Sequence, residues 1–389
     1  MASRRQVLRL IGGSAAALAA VGAGGAAFVA TREPLGAQAP WRDAMAGGFG
    51  EPRLDALAWA ILAPNPHNRQ PWLFELVGDD TIIVHCDSGR LLPHTDPYDR
   101  QIVIGFGCML ELLRMAAAEQ GYLARITPFP EGEPQPRLDR RPIAHVRFEP
   151  GGVADPLFAH AAARRSNKEV FDTARPVTAG ALLAITQACD PRLGVRLVSE
   201  PERVEALRDL TWRAWVREIE TPQTYQESID LMRFGRAEIE ANPDGIETPG
   251  AMMEVLNRVG FVTRETLANP QHPAYAQGFS IFEPIIRSAM GHVALVSATN
   301  TRADQLDAGR DWVRLNLAAT GLGIGLHPLS QALQEFPEMA ALYREAHDQI
   351  APEGGTVQML GRAGYGPRVP PTPRWPLETR IIDHSTART

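Results

Sequence analysis

Cysteine is scarce. Cys86, Cys108 and Cys189 are the whole complement, an odd number with no C-x-x-C spacing. That argues against a disulfide framework and reads as three small buried side chains. His85, Cys86, Asp87, His94 and Asp96 lie close in sequence, but their spacing matches neither a helix-borne H-x-x-x-H nor paired C-x-x-C, so a metal centre is not expected. No G-x-S-x-G elbow is present, which argues against a serine hydrolase. Positive charge is not in excess either. The formal net charge is -6 and no long basic run follows the amino terminus, so nothing draws the chain to nucleic acid. With 44% hydrophobic and 22% charged residues in 389, the chain can build one large globular domain or two small ones.

What is present begins at the amino terminus. Ser3-Arg4-Arg5-Gln6-Val7-Leu8-Arg9 is basic, and residues 10–30, rich in Gly and Ala, carry no charged side chain. A basic start before an uncharged run reads as a targeting segment, and S-R-R-x-V-L resembles a twin-arginine export signal. Such export carries folded proteins, with the twin-arginine translocase as partner. Ala37-Gln38-Ala39 has the small-x-small form of a cleavage site, although Pro40 follows and hinders a peptidase. About 20 apolar residues suffice to span a bilayer, but the many glycines make a poor helix. Residues 1–39 are therefore read as signal and linker, removed or kept as a loose tether, and the expected location is periplasmic or exported.

Residues 40–150 read as a first half. A Pro- and Gly-containing lead over 33–52 precedes a helix over 53–62. Strands follow over 72–76 and 81–85, then an apolar helix over 102–120 and strands over 124–128 and 144–148. The Pro-, Arg- and acid-rich stretch 130–142 reads as a solvent-exposed hairpin or loop. Residues 151–389 read as a second half, with helices over 156–163, 178–188, 201–220 and 311–320, and strands over 195–198, 325–329 and 355–361. Residues 221–291 show no clean period and read as irregular helices packed over the body as a lid. No residue-level repeat relates the halves.

Four stretches carry chemistry. Ala63-Pro64-Asn65-Pro66-His67-Asn68-Arg69-Gln70-Pro71-Trp72 packs three prolines and three amides between a helix and a strand. Asn68 and Gln70 each present a donor and an acceptor, which suits a planar heterocycle edged with carbonyls and ring nitrogens. Taken alone the stretch is also a plain connecting loop, in which His67 caps a turn or serves as an acid. Arg164-Arg165-Ser166-Asn167-Lys168 offers guanidinium forks and a hydroxyl to phosphate oxygens, or is a solvated basic helix end. Gly321-Leu322-Gly323-Ile324-Gly325 is not a dinucleotide loop, because it follows a helix rather than a strand. The ending holds Gly364-Tyr365-Gly366 and Pro370-Pro371-Thr372-Pro373-Arg374.

In family order these stretches resemble the nitroreductase superfamily of flavin mononucleotide (FMN) proteins. The first is similar to its P-S-x-x-N-x-Q-P-W signature, and the H-N-x-Q-P-W form resembles the Acg-type subfamily. Asn65 stands where serine is common, followed by Pro66, while Asn68 and Gln70 match. R-R-S-N-K resembles the R-R-S/T-x-R phosphate motif, carried over as Arg164, Arg165, Ser166 and Lys168, with Lys168 in place of arginine. The Gly321 stretch resembles A-A-x-x-L-G-x, whose following loop would bring Pro328, Leu329 and Ser330 to the reactive edge. The ending resembles G-Y-x plus a basic phosphate contact, here Arg374.

The resemblance implies an α+β fold, with a central mostly antiparallel sheet flanked by helices in a single-chain pseudo-dimer. One FMN per chain would be held by Asn65, Asn68, Gln70, Arg164, Arg165, Ser166, Lys168, Pro328, Leu329, Ser330 and Arg374. It implies oxidoreduction of a quinone, nitro compound or similar small acceptor, in which no catalytic side chain can be named because the flavin performs the chemistry. Nicotinamide donors are cytoplasmic, so an exported enzyme needs another reductant. Two other readings stand beside it: an FMN-holding protein whose lid is closed, and an envelope interaction protein with a decayed flavin site.

Overall fold

The computed structural model describes residues 32–189 and 192–382; the twin-arginine stretch and residues 10–30 lie outside them. The lead before the first expected helix is not featureless. Helix α1, Ala39–Ala46, starts with Pro40 in its first turn, where a missing N–H is harmless, and buries Trp41. Helix α2, Pro52–Ala60, follows. Strands β1 (Trp72–Val77) and β2 (Thr81–Cys86) turn Trp72, Phe74, Ile82 and Val84 inward by strict alternation. Helix α3, Arg100–Glu119, is almost wholly buried, and β3 (Tyr122–Pro128) and β4 (Ala144–Pro150) complete a four-stranded antiparallel sheet of order β1-β2-β4-β3.

The second half repeats the plan. After a short 3-10 turn, Pro156–His160, where a longer helix was expected, come α4 (Ala179–Thr186), β5 (Gly194–Val198) and α5 (Pro201–Glu220). Residues 221–291 then fold as α6 (Pro222–Asp230), β6 (Met232–Phe234), α7 (Gly235–Ala241), β7 (Ile246–Thr248), α8 (Ala251–Arg258), α9 (Arg264–Ala268) and α10 (Pro273–Arg287), with β6 and β7 a short parallel pair. Strand β8 (Gly291–Ser297), helix α11 (Arg302–Gly321), β9 (Gly325–Pro328), α12 (Ala340–Ile350) and β10 (Thr356–Gly364) follow. The second sheet has order β5-β8-β10-β9, again antiparallel. The fold is α+β. Its antiparallel sheet comes as two four-stranded pieces, one per half, rather than as one central sheet.

Two expectations need correction here. Helix α11 begins nine residues earlier than 311, because its first turns are polar. Thr301 and Asp304 form a reciprocal capping box at its start, a signal present in the sequence but not read. The central strand β8 was missed because all seven of its residues are buried and show no alternation. The stretch 130–142 is the expected loop, exposed over most of its length between the antiparallel strands β3 and β4, and it is pinned at two points. The Glu133 carboxylate accepts from the N–H groups of Arg302 (2.9 Å) and Ala303 (3.1 Å), and Leu138 is buried.

Helices α3 and α11 pack side by side and relate the halves. One constant offset in the chain relates Arg100 to Arg302, Gly107 to Gly309, and Gly121 to Gly323. Arg100 donates to the carbonyls of Leu333 (2.6 Å) and Gln358 (2.7 Å) in the second half; Arg302 donates to those of Pro134 (3.1 Å) and Pro136 (2.9 Å) in the first. Gly107 and Gly309 face each other at the crossing. A methyl group on either would sit on the carbonyl oxygen of Leu306 or Ile104. The arrangement is a pseudo-dimer with one continuous core, running from Trp72 and Phe74 to Val293, Leu295 and Trp312.

After β10 the chain returns to the first half. Trp41 Nε1 donates to Thr372 O (2.8 Å), and the Arg374 N–H donates to Ala37 O (2.8 Å). Ile381 pairs with Phe74 at the free edge of β1.

Candidate functional site

The proline-rich loop between α2 and β1 is strained. His67, Asn68 and Gln70 all have positive φ, at 46°, 50° and 49°. For residues with a Cβ this costs about 1–3 kcal/mol each, and such clusters gather where a backbone must be held for a ligand. Asn65 holds the loop from inside: its Oδ1 accepts from Gln70 N (2.7 Å) and its Nδ2 donates to Ala63 O (3.1 Å). Asn68 and Gln70 reach outward to two other segments. Asn68 donates to Pro373 O (3.0 Å) and accepts from Arg374 (2.7 Å). Gln70 donates to Pro243 O (2.8 Å) and accepts from Trp375 N (2.9 Å). These amides thus clamp the returning tail and the 221–291 segment onto the loop.

Beside the loop three guanidiniums surround one indole. Arg165, Arg374 and Arg164 lie 4.3, 5.7 and 5.9 Å from the Trp41 ring. Arg164 and Arg374 are each 3% exposed. No carboxylate among the described residues forms an ion pair with any of the three; Glu247 acts on Arg374 from beyond ion-pair distance. Burial, with the neighbouring guanidiniums adding to it for Arg164 and Arg374, pushes Arg164 and Arg165 down to about 10 and Arg374 to about 9. The three differ in how well they are bonded. Arg374 is saturated, donating to the carbonyls of Ile61, Leu62, Ala63 and Pro373 and to Asn68 and Thr372. Arg164 donates only to Leu62 O (3.1 Å), and its Nη1 is enclosed without a partner, as is Nε of Arg165. Enclosed positive charge with unused donors is what an anion satisfies.

The other expected residues have partners of their own, and only Lys168 links back to the loop. Ser166 pairs with Leu326, two residues before Pro328. Lys168 is exposed, and its ammonium is near enough to hold both His67 and His327 down. For His67 burial is the larger cause, and together they take it to about 4. Pro328 ends β9, opposite Gly361. Leu329 is buried under Trp215 and Ile286, with its N–H on Leu360 O (2.9 Å), and Ser330 lies 3.8 Å from the Met359 sulfur. Arg164, Arg165 and Arg374 therefore meet around Trp41, Arg374 joins Asn68, and Lys168 joins His67.

Two neighbours carried no legible signal. Trp41 lies in what read as a linker, and His327 is one residue ahead of the Pro328 loop. His327 Nδ1 accepts from Arg362 Nε (2.9 Å). An arginine only donates, so His327 is the Nε2–H tautomer, and burial beside Arg362 and Lys168 keeps it neutral. No group of three or more potential metal ligands occurs among the described residues.

No protein-family profile matches the chain. Among characterised sequences it is similar to a Mycobacterium tuberculosis protein named "Putative NAD(P)H nitroreductase Rv3131". The two are 27% identical over 345 residues, covering 83% of this chain and 91% of that one. Over a shorter stretch, 24% of the chain, it is 33% identical to a M. tuberculosis relative named "Putative NAD(P)H nitroreductase acg", covering 27% of that relative. Among solved structures, a nitroreductase with bound FMN from Bacteroides fragilis superposes at a TM-score of 0.33 with 15% identity, over 60% of this chain and 97% of that one. An FMN-dependent nitroreductase from Mycobacterium smegmatis in complex with NADPH gives 0.34 and 18%, over 56% and 92%.

Proposed function

We propose that the nitroreductase-like chain is an FMN-dependent oxidoreductase that passes electrons to a small acceptor such as a quinone or a nitro compound. The observation that carries this reading is the set of three clustered guanidiniums, two of them buried and none paired with a carboxylate, two with unused N–H groups, beside a strained amide loop. Arg164 and Arg165, with the Ser166 hydroxyl, would hold the phosphate. Arg374 would act mainly by fixing Asn68 and the loop. Asn65, Asn68 and Gln70 would hold the strained loop backbone against the ring edge, with Lys168 a positive charge beside it and Pro328, Leu329 and Ser330 the backbone opposite. Bound FMN supplies the electron transfer; the chain supplies binding, orientation and exclusion of water. His327, fixed as a neutral donor, keeps a proton at Nε2 beside Lys168. The relatives' names suggest a nicotinamide donor, which a chain that stays in the cytoplasm could use.

A second reading has an observation of its own. Gln70 is tied to Pro243 of the 221–291 segment, and Leu329 lies under α5 and under α10 of that cover. A cover so fastened would make the chain an FMN holder with little turnover. Purified protein should be yellow and release one equivalent of FMN, not FAD, on denaturation; a colourless protein that refuses added FMN removes both readings. After chemical reduction, stopped-flow reoxidation by a quinone distinguishes them. An enzyme with a mobile cover reacts rapidly, since covers open on the μs–ms scale. No acceptor-dependent reoxidation over minutes favours the holder.

Location belongs to the same proposal. A twin-arginine signal would deliver the folded, FMN-loaded chain to the periplasm, where a donor other than a nicotinamide is needed. Changing Arg4 and Arg5 together to Lys should then leave the folded flavoprotein in the cytoplasm. Normal export of that variant rules the twin-arginine route out.

A further inference from the structure

Helix α8 has two apolar faces, and only one of them is covered. Met253 and Leu256 pack inward with Phe234, Val262 and Ala274. On the outside, Met252 is 73% exposed, Val255 44% and Val259 71%, at positions i, i+3 and i+7 of one stripe, and Phe261 continues it at 41%. Isolated exposed apolar residues are ordinary, but a continuous stripe of four large ones marks a contact surface.

What stands beside the stripe identifies its occupant. Arg32, the first described residue, donates to Glu254 Oε1 of this same helix at 2.9 Å. Just upstream of it, residues 10–30 are uncharged and long enough to span a hydrocarbon core, which takes about 20 residues. Arg32 therefore fixes the chain that follows the uncharged run beside the helix that shows the apolar stripe. Arg258, 60% exposed at the rim, is ion-paired with Glu254 of the same helix. Ala37 and Gln38 of the small-x-small site are 5% and 7% exposed, and Ala37 O is bonded to Arg374 N, so a peptidase cannot reach that site in the folded protein.

We propose that the outer face of α8, with Phe261, docks on the lipid bilayer into which residues 10–30 insert, seating the 221–291 segment on the membrane surface. A helix of this kind lies in the interface with its apolar side in the acyl boundary. Such a seat brings the cover of the site to the phase in which lipid-soluble quinones dissolve. That consequence rests on the oxidoreductase reading; the docking does not.

The test uses the full chain with Cys86→Ser and Cys189→Ser, and an NBD fluorophore on Val259→Cys, in proteoliposomes of phosphatidylethanolamine and phosphatidylglycerol. Nitroxide-labelled acyl chains should quench the fluorophore roughly twofold, because an interfacial helix sits about 5–10 Å into the headgroup–acyl boundary. Met252→Cys, labelled instead, should behave alike and guards against a folding defect at one site. Adding Met252→Asp and Val255→Asp to the Val259→Cys protein should abolish the quenching while the chain still floats with the vesicles through residues 10–30. Emission indifferent to nitroxide, quenching that survives the two aspartates, or a chain that does not float each overturns the docking. A blue shift that grows with protein concentration and ignores nitroxide overturns it in favour of a second copy. None of these outcomes depends on FMN.

Discussion

Replacing Arg164 by alanine should weaken FMN binding about 10- to 100-fold, because a charge-assisted hydrogen bond contributes roughly 1.5–3 kcal/mol and each 1.4 kcal/mol is a factor of ten. The apo protein should lose little stability. The guanidinium is enclosed, its Nη1 has no partner, and no carboxylate offsets its desolvation. Arg165→Ala should act in the same direction. Arg374→Ala provides the contrast. That side chain holds three consecutive carbonyls, from Ile61 to Ala63, and Asn68. Removing it strands buried acceptors at about 1–3 kcal/mol each and releases the tail from the loop. Its main effect should therefore fall on the apo fold, read as a lower urea midpoint, with FMN affinity following. Flavin-fluorescence titrations and urea melts of the three variants separate these roles. Affinity changed less than about threefold in both Arg164→Ala and Arg165→Ala would remove the anion assignment, since either loss is worth more than that.

Gly309→Ala should cost about 3 kcal/mol or more, at or above the top of the usual range for overpacking. The reason is what the new methyl meets. It collides with the Ile104 carbonyl and the Gly107 backbone, and backbone, unlike the end of a flexible side chain, cannot swing aside. Helices α3 and α11 would have to separate, and the core shared by both halves opens with them. Gly180→Ala in α4 is the matched control: nothing lies within 4 Å of the added methyl, so it should be neutral or stabilising by up to about 1 kcal/mol. Urea midpoints compare the two. A Gly309→Ala protein within about 0.5 kcal/mol of the unmodified chain, the range of an ordinary surface change, would show that the helices can part freely and that the crossing does not hold the halves together.

The sequence by itself determined the features that depend on local chemistry. Alternation placed β1 and β2, apolar spacing placed α3, and the prolines of 64–71 stopped one helix before the next strand. The amide loop, the basic cluster and the Pro328 loop were legible because each is a short run of unusual composition. Reading stopped where a signal is polar or shared between distant segments. The start of α11 looks soluble because Arg302, Gln305 and Asp311 are buried against partners that the sequence cannot indicate. Strand β8 looks structureless because both its faces are covered.

Only the tertiary structure decided how these pieces act. It brought Trp41, from a segment that read as linker, into the middle of three arginines. It committed Asn68, Gln70 and Arg374 to clamping the tail and the 221–291 segment, while leaving Arg164 and Arg165 with donors to spare. It also set Arg32 against α8, whose outer stripe is bare. Local pattern depends on neighbours a few residues apart, whereas satisfaction of a buried charge depends on groups hundreds of residues away. The type of each functional residue was therefore open to reading, and its partner was not.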